Sequence, residues 1–513
     1  MATVRIIDGA FSIAAIDSAW EGTFDKQTST KCVVVDESTS YGIELSGSNF
    51  TYSDSYYGGL ESGRIKGITI FNTDGSVRWT MSGLSLNANE FNTAVSNAYS
   101  SNLSPLLTLL KDVPLIVSGG TLDDNFIGGQ KNDKFFGGVG SDTFVGNGGR
   151  DQMDGGVGDY DIVNYSQENG GGGIKVNLTK NTVVDTYGSV DTVKNMELIV
   201  GTDEVDTFVG SKTAAYEAFS GRGGGDTING GGGSHNTVRY DYDNDYGIDV
   251  NLAGNPDGTG YGKFGYYGDV DTLIGIQDII ATNGQDTLVG SAEANTFTGL
   301  SGSDDINGGL GIDTINYSFE NGTQGVTVDL ERYFAFDSYG YKDTLVSIED
   351  VLGTGFRDLM KGSSGNNVLL GLGGNDSLKG LAGIDRLEGG TGNDRLAGGL
   401  GNDRLIGGDG YDDFVFDTAL NAKTNVDRIT DFAVASDSIA LENAIFKSLK
   451  VGDLAAGAFY IGSAAHDASD RIIYNNKTGA LLYDADGKGG QAAVQFATLD
   501  SNLKLTADHF DIF

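Results

Sequence analysis

Aspartates recur every nine residues in the stretch GGTGNDRLAGGLGNDRLIGGDGYDDFV (389–415), and glycines surround each of them. Asp394, Asp403 and Asp412 mark the spacing. Aspartate supplies short, hard carboxylate oxygens, and glycine tolerates the positive φ angles that turn backbone carbonyls inward. Calcium binds about six to eight such oxygens. The pattern therefore predicts a row of calcium sites.

The nine-residue frame runs through three stretches and a weaker patch. Seven consecutive units begin at 353, 362, 371, 380, 389, 398 and 407; others begin at 119, 128, 137, 146 and 155, and at 281, 290, 299 and 308; the patch covers 201–238. The candidate carboxylate ligands at position six are Asp124, Asp133, Asp142, Asp151, Asp206, Asp226, Asp286, Asp304, Asp313, Asp358, Asp376, Asp385, Asp394, Asp403 and Asp412. Carbonyl ligands are expected from Gly129, Gly138, Gly390, Gly392, Gly399, Gly401 and Gly408.

Each unit is interpreted as a six-residue turn followed by a three-residue strand with one inward apolar side chain at position eight. Two units make one 18-residue coil, so turns two units apart stack on the same edge. Asp376 then faces Asp394, and Asp394 faces Asp412. Stacked carboxylates repel one another unless a cation lies between them, so we expect folding to be coupled to calcium.

Together these units match the calcium-binding nonapeptide of parallel β-rolls. They resemble the repeats-in-toxin (RTX) family of exported bacterial calcium-binding proteins. The resemblance implies a parallel β-roll that is unfolded at low cytosolic calcium and folded outside the cell. A Gly/Asp-rich linker and a metal-free solenoid are the alternatives, and seven units in phase argue against both.

Three longer segments interrupt the nonapeptides, at 164–200, 239–280 and 317–352. Each contains a tyrosine, an alternating strand, a variable loop, an Asp-Thr turn and another apolar strand, which we interpret as longer coils of the same solenoid. Two loops, 261–268 and 332–341, are rich in aromatic residues. Such rings stack on sugars, contact proteins or cover a hydrophobic edge of the solenoid.

The repeats divide the chain into three predicted parts. Residues 1–118 contain no nonapeptide and predict a small β-rich domain with a helical stretch at 88–111 and a tight turn at 73–76. Residues 119–415 form the predicted roll. Residues 416–513 resemble the C-terminal module of RTX proteins, which implies a cap with an uncleaved type I secretion signal. The first twenty residues lack a cleavable-signal pattern, so we expect any export address to lie elsewhere.

A strongly acidic composition limits the partners. With 71 acidic and 33 basic residues the formal charge is −38, which disfavours nucleic acid and anionic membranes. No apolar run approaches the ~20 residues of a membrane helix. The expected partners are calcium, the type I secretion machinery, and either a second copy of the chain or a cell-surface polysaccharide.

Enzymatic motifs are absent from the sequence: there is no HExxH or GxSxG, and the three histidines are far apart. Two function classes therefore stay open. The first is a secreted, non-catalytic calcium-binding protein of a surface layer, adhesin or matrix. The second is an exported polysaccharide-active enzyme with an RTX secretion module. For both, the predicted fold is all-β: a β-roll with a small β-rich N-terminal domain and a C-terminal capping and secretion module.

Overall fold

The computed structural model describes residues 113–513 apart from 120–122, 159, 213–215, 234, 243–245, 256–257 and 265–267, and, before residue 113, the backbone of six strands. The helical stretch and the tight turn expected at 88–111 and 73–76 lie outside the described residues. The chain forms two compact units, unit 1 comprising Met1–Tyr242 with Asp269–Ile276, and unit 2 comprising Asp243–Gly268 with Gln277–Phe513.

Short strands account for almost all regular structure in the described residues. The first part of the chain contains β1 (Ala2–Ile6), β2 (Thr23–Thr28), β3 (Lys31–Asp36), β4 (Tyr41–Tyr52), β5 (Leu60–Asn72), β6 (Val77–Asn87), β7 (Leu115–Ser118), β8 (Asn125–Ile127), β9 (Lys134–Gly138), β10 (Thr143–Val145), β11 (Gln152–Gly156), β12 (Ile162–Asn164), β13 (Lys175–Asn177), β14 (Thr182–Val184), β15 (Val190–Lys194), β16 (Leu198–Val200), β17 (Thr207–Val209), β18 (Glu217–Ser220), β19 (Thr227–Asn229), β20 (Asn236–Arg239), β21 (Ile248–Asn251), β22 (Gly260–Phe264) and β23 (Val270–Ile274). The second part contains β24 (Asp278–Ile280), β25 (Thr287–Val289), β26 (Thr296–Thr298), β27 (Asp305–Asn307), β28 (Thr314–Asn316), β29 (Thr327–Asp329), β30 (Phe334–Phe336), β31 (Lys342–Val346), β32 (Asp350–Leu352), β33 (Leu359–Lys361), β34 (Val368–Leu370), β35 (Ser377–Ala382), β36 (Arg386–Thr391), β37 (Arg395–Leu400), β38 (Arg404–Asp409), β39 (Asp413–Phe416), β40 (Asp427–Ile429), β41 (Ser438–Leu441), β42 (Gly452–Asp453), β43 (Phe459–Ile461), β44 (Ile472–Asn475), β45 (Ala480–Tyr483), β46 (Val494–Thr498) and β47 (Phe510–Ile512). Three short 3-10 helices lie at Leu330–Arg332, Ala456–Ala458 and Ala507–His509.

Unit 1 begins with an antiparallel meander. Strands β2 to β6 pair in sequence order, and β1 pairs antiparallel with β6. The other edge of β1 pairs in parallel with β7, which itself pairs in parallel with β9. The backbone of the meander therefore continues into a sheet of the repeats. The division of the chain at residue 118 remains a prediction.

Successive nonapeptides of unit 1 enter two different sheets. One sheet contains β7, β9 and β11, and the other contains β8, β10 and β12; neighbours within each sheet are parallel. Phe144 pairs with Phe126, eighteen residues earlier, because one coil consists of two nine-residue units. The parallel β-roll predicted from the spacing is confirmed.

The longer repeats modify one of the two sheets. In the repeat 164–200 the order is β11, β15, β14, β13, β17, and β14 is antiparallel to both β13 and β15. In the repeat 317–352 of unit 2, β30 lies in the same way between β29 and β31. The longer coils thus stay in the solenoid, as expected, but they insert antiparallel strands that the sequence analysis did not predict.

Unit 2 carries the longest uninterrupted run of coils. Strands β33, β35, β37, β39 and β41 pair in parallel in one sheet, and β32, β34, β36, β38 and β40 do so in the other. Strands β35 to β38 are six residues long instead of the expected three. Their glycine turns stack in register, as in the Leu381–Gly399 pair, so backbone pairing continues into the turn.

The core of the roll is a line of apolar side chains between the two sheets. Leu378, Leu387, Leu396 and Leu405, all at position eight, are at most 1% exposed. In unit 1 the rings of Phe126 and Phe144 stack with their centroids 4.9 Å apart. A fully buried leucine stabilises a fold by roughly 1.5–3 kcal/mol, so each coil has a small apolar core, and the rest of its stability must come from the turns.

At the C-terminal end the coil pattern gives way to mixed pairing. Strand β46 adds in parallel to β40 and is followed in the sheet by antiparallel β45 and β44. Strand β47 adds in parallel to β41. These strands extend both sheets of the roll beyond the last nonapeptide.

Gly392→Ala is expected to lower the free energy of unfolding at saturating calcium by at least about 2 kcal/mol. Gly392 has a φ of +129°, and a Cβ there would overlap the carbonyl oxygen of Gly374. Gly355→Ala is the matched control, because a Cβ there meets nothing within 4 Å. Thermal unfolding measures both variants; equal effects would contradict the turn geometry.

Candidate metal centre

All fifteen position-six aspartates predicted from the sequence are buried, with at most 3% exposure. Each aspartate lies at the end of a glycine turn and directly precedes a strand whose second residue is buried in the core. Asp394, for example, immediately precedes β37, and Leu396 in that strand is fully buried. Because side chains alternate between the two faces of a strand, the aspartate and the core residue two positions after it point to the same, inner face.

The aspartates form ladders along the roll. The backbone N–H of Asp376 donates to Oδ1 of Asp394 at 2.7 Å, and the N–H of Asp394 donates to Oδ1 of Asp412 at 2.9 Å. On the other edge the N–H of Asp385 donates to Oδ1 of Asp403 at 2.9 Å. These contacts have the 18-residue period and the partners that the sequence predicts.

The C-terminal residues supply the last acceptors of both ladders. Asp403 N–H donates to Oδ1 of Asp427 at 3.1 Å, and Asp412 N–H donates to Oδ1 of Asp437 at 3.3 Å. Neither acceptor belongs to a nonapeptide, so the nine-residue spacing does not predict them. Each aspartate in the run thus has its N–H satisfied by the coil that follows it.

The second carboxylate oxygen distinguishes one class of aspartate. Oδ2 is buried and has no hydrogen-bond partner in nine of the predicted residues: Asp142, Asp151, Asp304, Asp313, Asp376, Asp385, Asp394, Asp403 and Asp412. Among the described residues no lysine or arginine forms an ion pair with any of these nine. A buried, unpaired carboxylate oxygen is costly, and it fits the hard oxygen chemistry of a calcium ion.

Burial makes these carboxyls hard to ionise without a cation. It raises the pKa of Asp376 to about 8 and that of Asp385 to about 7. Burial, with repulsion from neighbouring carboxylates, raises the pKa of both Asp151 and Asp304 to about 9. The roll therefore concentrates acidic groups where their charged form is unfavourable, and a divalent cation would reverse that preference.

The predicted glycines lie in the same turns. Six of the seven adopt positive φ angles between 99° and 151°: Gly138, Gly390, Gly392, Gly399, Gly401 and Gly408. Gly129 instead donates its N–H to Oδ2 of Asp133 at 2.8 Å, and Oδ1 of Asp133 accepts from Leu115 N–H at 2.7 Å. Both oxygens of Asp133 are therefore engaged by backbone.

A second class of aspartate is satisfied by threonine. Oδ2 of Asp358 accepts the N–H of Thr354 at 2.7 Å, and Oδ1 accepts the Thr354 hydroxyl at 2.8 Å. Asp206 with Thr202 and Asp286 with Thr282 repeat the arrangement. These units read GTDEVD, ATNGQD and GTGFRD, so a threonine at position two is the sequence signal for the class.

Two further predicted residues, Asp124 and Asp226, continue the ladders of unit 1. Asp124 N–H donates to Oδ1 of Asp142 at 2.8 Å. Oδ1 of Asp226 accepts from Asp206 N–H at 2.8 Å, and Asp226 N–H donates to Oδ1 of Asp271 at 2.9 Å. Asp271 belongs to a longer repeat, so the longer coils take part in the ladder as well.

We expect Asp394→Asn to reduce the number of calcium ions bound per chain by at least one, and Asp358→Asn to leave that number unchanged. The Asp358 variant should instead lose about 1–3 kcal/mol of unfolding free energy, because its amide nitrogen would face the N–H of either Thr354 or Val326, each of which donates to a different oxygen of Asp358. Equilibrium dialysis and thermal unfolding at saturating calcium separate the two effects. Equal calcium losses would refute the division into classes.

Comparison with known proteins identifies the repeats. The family model of the RTX calcium-binding nonapeptide repeat matches four segments of the chain, residues 118–160, 280–315, 352–387 and 379–414. The chain carries RTX repeats. The resemblance to RTX repeats and the expectation that calcium is the bound ion are confirmed.

No curated protein matches the chain. Among solved structures, the chain is similar to the AlgE6R3 subunit from the Azotobacter vinelandii mannuronan C5-epimerase, with 27% identity over 30% of this chain and 77% of that one, and a TM-score of 0.16. At that TM-score we take nothing about activity from the likeness. Within the described residues no helix has the length and apolar character needed to cross a membrane.

Proposed function

We propose that this RTX-repeat chain is a structural protein of a surface layer, adhesin or extracellular matrix that folds on calcium after export. The observation that carries the proposal is the ladder of buried aspartates with unpaired oxygens. Such a ladder destabilises the fold when its carboxylates are charged and unneutralised. Calcium binding to the folded form alone then becomes folding free energy.

The residues that would hold the ions are those of the nonapeptide turns. Aspartates with an unpaired Oδ2 would supply the charge, and the glycine carbonyls of the same turns would supply neutral oxygens. When bound, calcium would supply the positive charge that neutralises stacked carboxylates. The Asp376–Asp394–Asp412 ladder and the Asp385–Asp403 ladder are the places where this role would be repeated most regularly.

Exposed aromatic side chains support a contact role for the roll surface. In the longer repeat of unit 2, Tyr333, Tyr339 and Tyr341 are 59%, 43% and 51% exposed, and Phe336 is 41% exposed. Exposed rings of this kind are used for stacking on sugars and for protein contacts. We propose that this surface contacts a cell-surface polysaccharide or a second copy of the chain.

Export would use the C-terminal part of the chain. We propose, from the resemblance to C-terminal modules of RTX proteins, that residues 416–513 cap the roll and carry a type I secretion signal. The continuation of both sheets through β46 and β47 supports the capping role. A fusion of these residues to a reporter, tested for export by a type I system, examines the secretion role separately.

The structural role is tested by titrating calcium into chelator-stripped protein while far-UV circular dichroism and light scattering are recorded together. Strand formation followed by growth into ordered particles is the expected result. Strand formation in a persistent monomer that turns over an acidic polysaccharide would replace the structural role by the enzymatic one. No strand formation at millimolar calcium would overturn calcium-coupled folding itself.

A further inference from the structure

Two of the longer repeats bury acidic residues that lie outside the nonapeptide frame. In the repeat 317–352 of unit 2, Glu320, Asp337 and Asp343 are at most 6% exposed. Asp337 and Asp343 lie close to Asp304, which belongs to the nonapeptide unit that begins at 299. The first three have no place in the nine-residue frame. Four carboxylates in one buried place need an explanation that the repeat motif does not give.

A fully buried tyrosine organises this cluster. The hydroxyl of Tyr317 donates to Oδ2 of Asp343 at 3.1 Å, and the N–H of Asp304 donates to Oδ1 of Asp343 at 3.2 Å. Ser338 N–H donates to Oε2 of Glu320 at 2.8 Å. The other oxygens, Oε1 of Glu320 and Oδ2 of Asp304, are buried without a partner.

The fourth acid connects the loop to the nonapeptide turn. Oδ1 of Asp337 accepts the N–H groups of Tyr339 at 3.0 Å and Tyr341 at 2.7 Å. Its Oδ2 has one long contact, 3.4 Å from the N–H of Gly302, two residues before Asp304. The Asp337 side chain is therefore fixed by its own loop and directed toward the turn that contains Asp304.

The repeat 164–200 of unit 1 reproduces the arrangement. Tyr165 donates to Oδ2 of Asp191 at 3.1 Å, and Thr186 donates its N–H and its hydroxyl to Oε2 of Glu168 at 3.2 and 2.9 Å. Oδ1 of Asp185 accepts two backbone N–H groups of its loop. Again the remaining oxygens are buried without partners: Oε1 of Glu168, Oδ2 of Asp185 and Oδ2 of Asp151.

Burial and mutual repulsion disfavour the charged form of the acids in both clusters. Burial, and then repulsion from Asp337 and Asp343, raises the pKa of Glu320 to about 8. Within the described part of the chain, no lysine or arginine forms an ion pair with any of these acids. All the available donor atoms are oxygens, which is the set that hard divalent cations such as calcium prefer.

The middle longer repeat, 239–280, has the tyrosine–aspartate bond but lacks the glutamate–aspartate pair. It keeps the tyrosine contact, since Tyr240 donates to Oδ2 of Asp271 at 3.1 Å. In sequence, however, Asp243 stands where the other repeats have glutamate, and Gly265 stands where they have Asp185 and Asp337. The tyrosine–aspartate bond is thus shared by all three repeats, whereas the glutamate–aspartate pair is present in two.

We propose that Glu320 and Asp337 bind a calcium ion in addition to those of the nonapeptide turns. We propose the same for Glu168 and Asp185. The glutamate–aspartate pair lies outside the nonapeptide frame, so the chain then has two ions more than its nonapeptides alone would hold. The inference does not depend on a structural or an enzymatic role for the protein.

The test counts calcium ions in the full chain. Chelator-stripped protein is dialysed against saturating calcium, and bound calcium per chain is measured by elemental analysis. The double variants E320Q/D337N and E168Q/D185N are each expected to bind one ion fewer than the unmodified chain, and their combination two fewer. The double variant D305N/D453N is the matched control: it also removes two charges, from exposed residues of which Asp305 is adjacent to Asp304, and it should leave the count unchanged.

An unchanged count in double variants of normal strand content would overturn the proposal, and would mean that the acids are buried in protonated form. If a double variant fails to fold, the single variants E320Q and D337N replace it. Each is expected to weaken one calcium-binding step by on the order of tenfold, because ligand charge tunes calcium affinity. Single variants that bind every ion with unchanged affinity would equally refute the site.

Discussion

Replacing Asp376, Asp394 and Asp412 together by asparagine is expected to raise the calcium concentration at the folding midpoint by on the order of 1,000-fold. The estimate takes roughly tenfold for each carboxylate lost, within the wide range over which ligand charge tunes calcium sites. Asparagine keeps an oxygen that can accept the backbone N–H of the ladder. The substitution therefore removes the charge and leaves the ladder hydrogen bond possible.

A triple variant with the same loss of charge provides the control. Asp305, Asp409 and Asp453 are exposed strand residues of unit 2, and their replacement by asparagine should shift the midpoint by less than about threefold, since exposed charges are screened by solvent and salt. Far-UV circular dichroism against free calcium gives both midpoints. Equal shifts in the two triple variants would mean that net charge, and not the ladder, determines the calcium dependence.

Acidification is expected to restore strand structure to the protein in the presence of a chelator. Burial raises the pKa of Asp376 to about 8, of Asp385 to about 7 and of Asp304 to about 9 in the folded chain, from an ordinary 3.8. The fold therefore favours the protonated form of these groups. Their contribution to stability is full below pH 4 and is lost as the pH rises through about 7 to 9.

With calcium present the pH dependence should reverse, because calcium binds the deprotonated carboxylates and competes with protons for them. Strand content followed by circular dichroism from pH 8 to pH 5, with chelator and with calcium, measures both directions. The chelated protein should gain strand content on acidification while the apparent calcium affinity falls. A chelated protein that stays unfolded at pH 5 would show that protonation cannot replace the ions.

Much of the roll could be predicted from residue spacing alone. The period of nine set the strand positions, the buried leucines at position eight such as Leu387 and Leu396, and the 18-residue stacking of the aspartates. These features depend on local geometry repeated many times, and repetition makes a weak local preference decisive. The resemblance to RTX repeats followed from the same spacing.

One of the missed features is local, and the others depend on contacts between residues that are distant in sequence. Thr354 satisfies Asp358 within one turn, and the threonine at position two was visible in the sequence, yet its meaning becomes clear only when the hydrogen bonds are seen. Glu320 and Asp337 are seventeen residues apart, and a chain with so many acids gives no reason to select them. The antiparallel strands of the longer repeats depend likewise on where each loop closes.

The ladder of backbone N–H groups and carboxylates gives the roll a direction. Each aspartate receives its acceptor from the coil after it, and the last acceptors, Asp427 and Asp437, come from beyond the repeats. A coil added to the N-terminal side of a formed coil finds a carboxylate already in place, whereas a coil added to the C-terminal side leaves its own aspartate N–H unpaired until another follows. We therefore expect the repeats to fold in order from the C-terminal end, beginning with the coils that pair with Asp427 and Asp437.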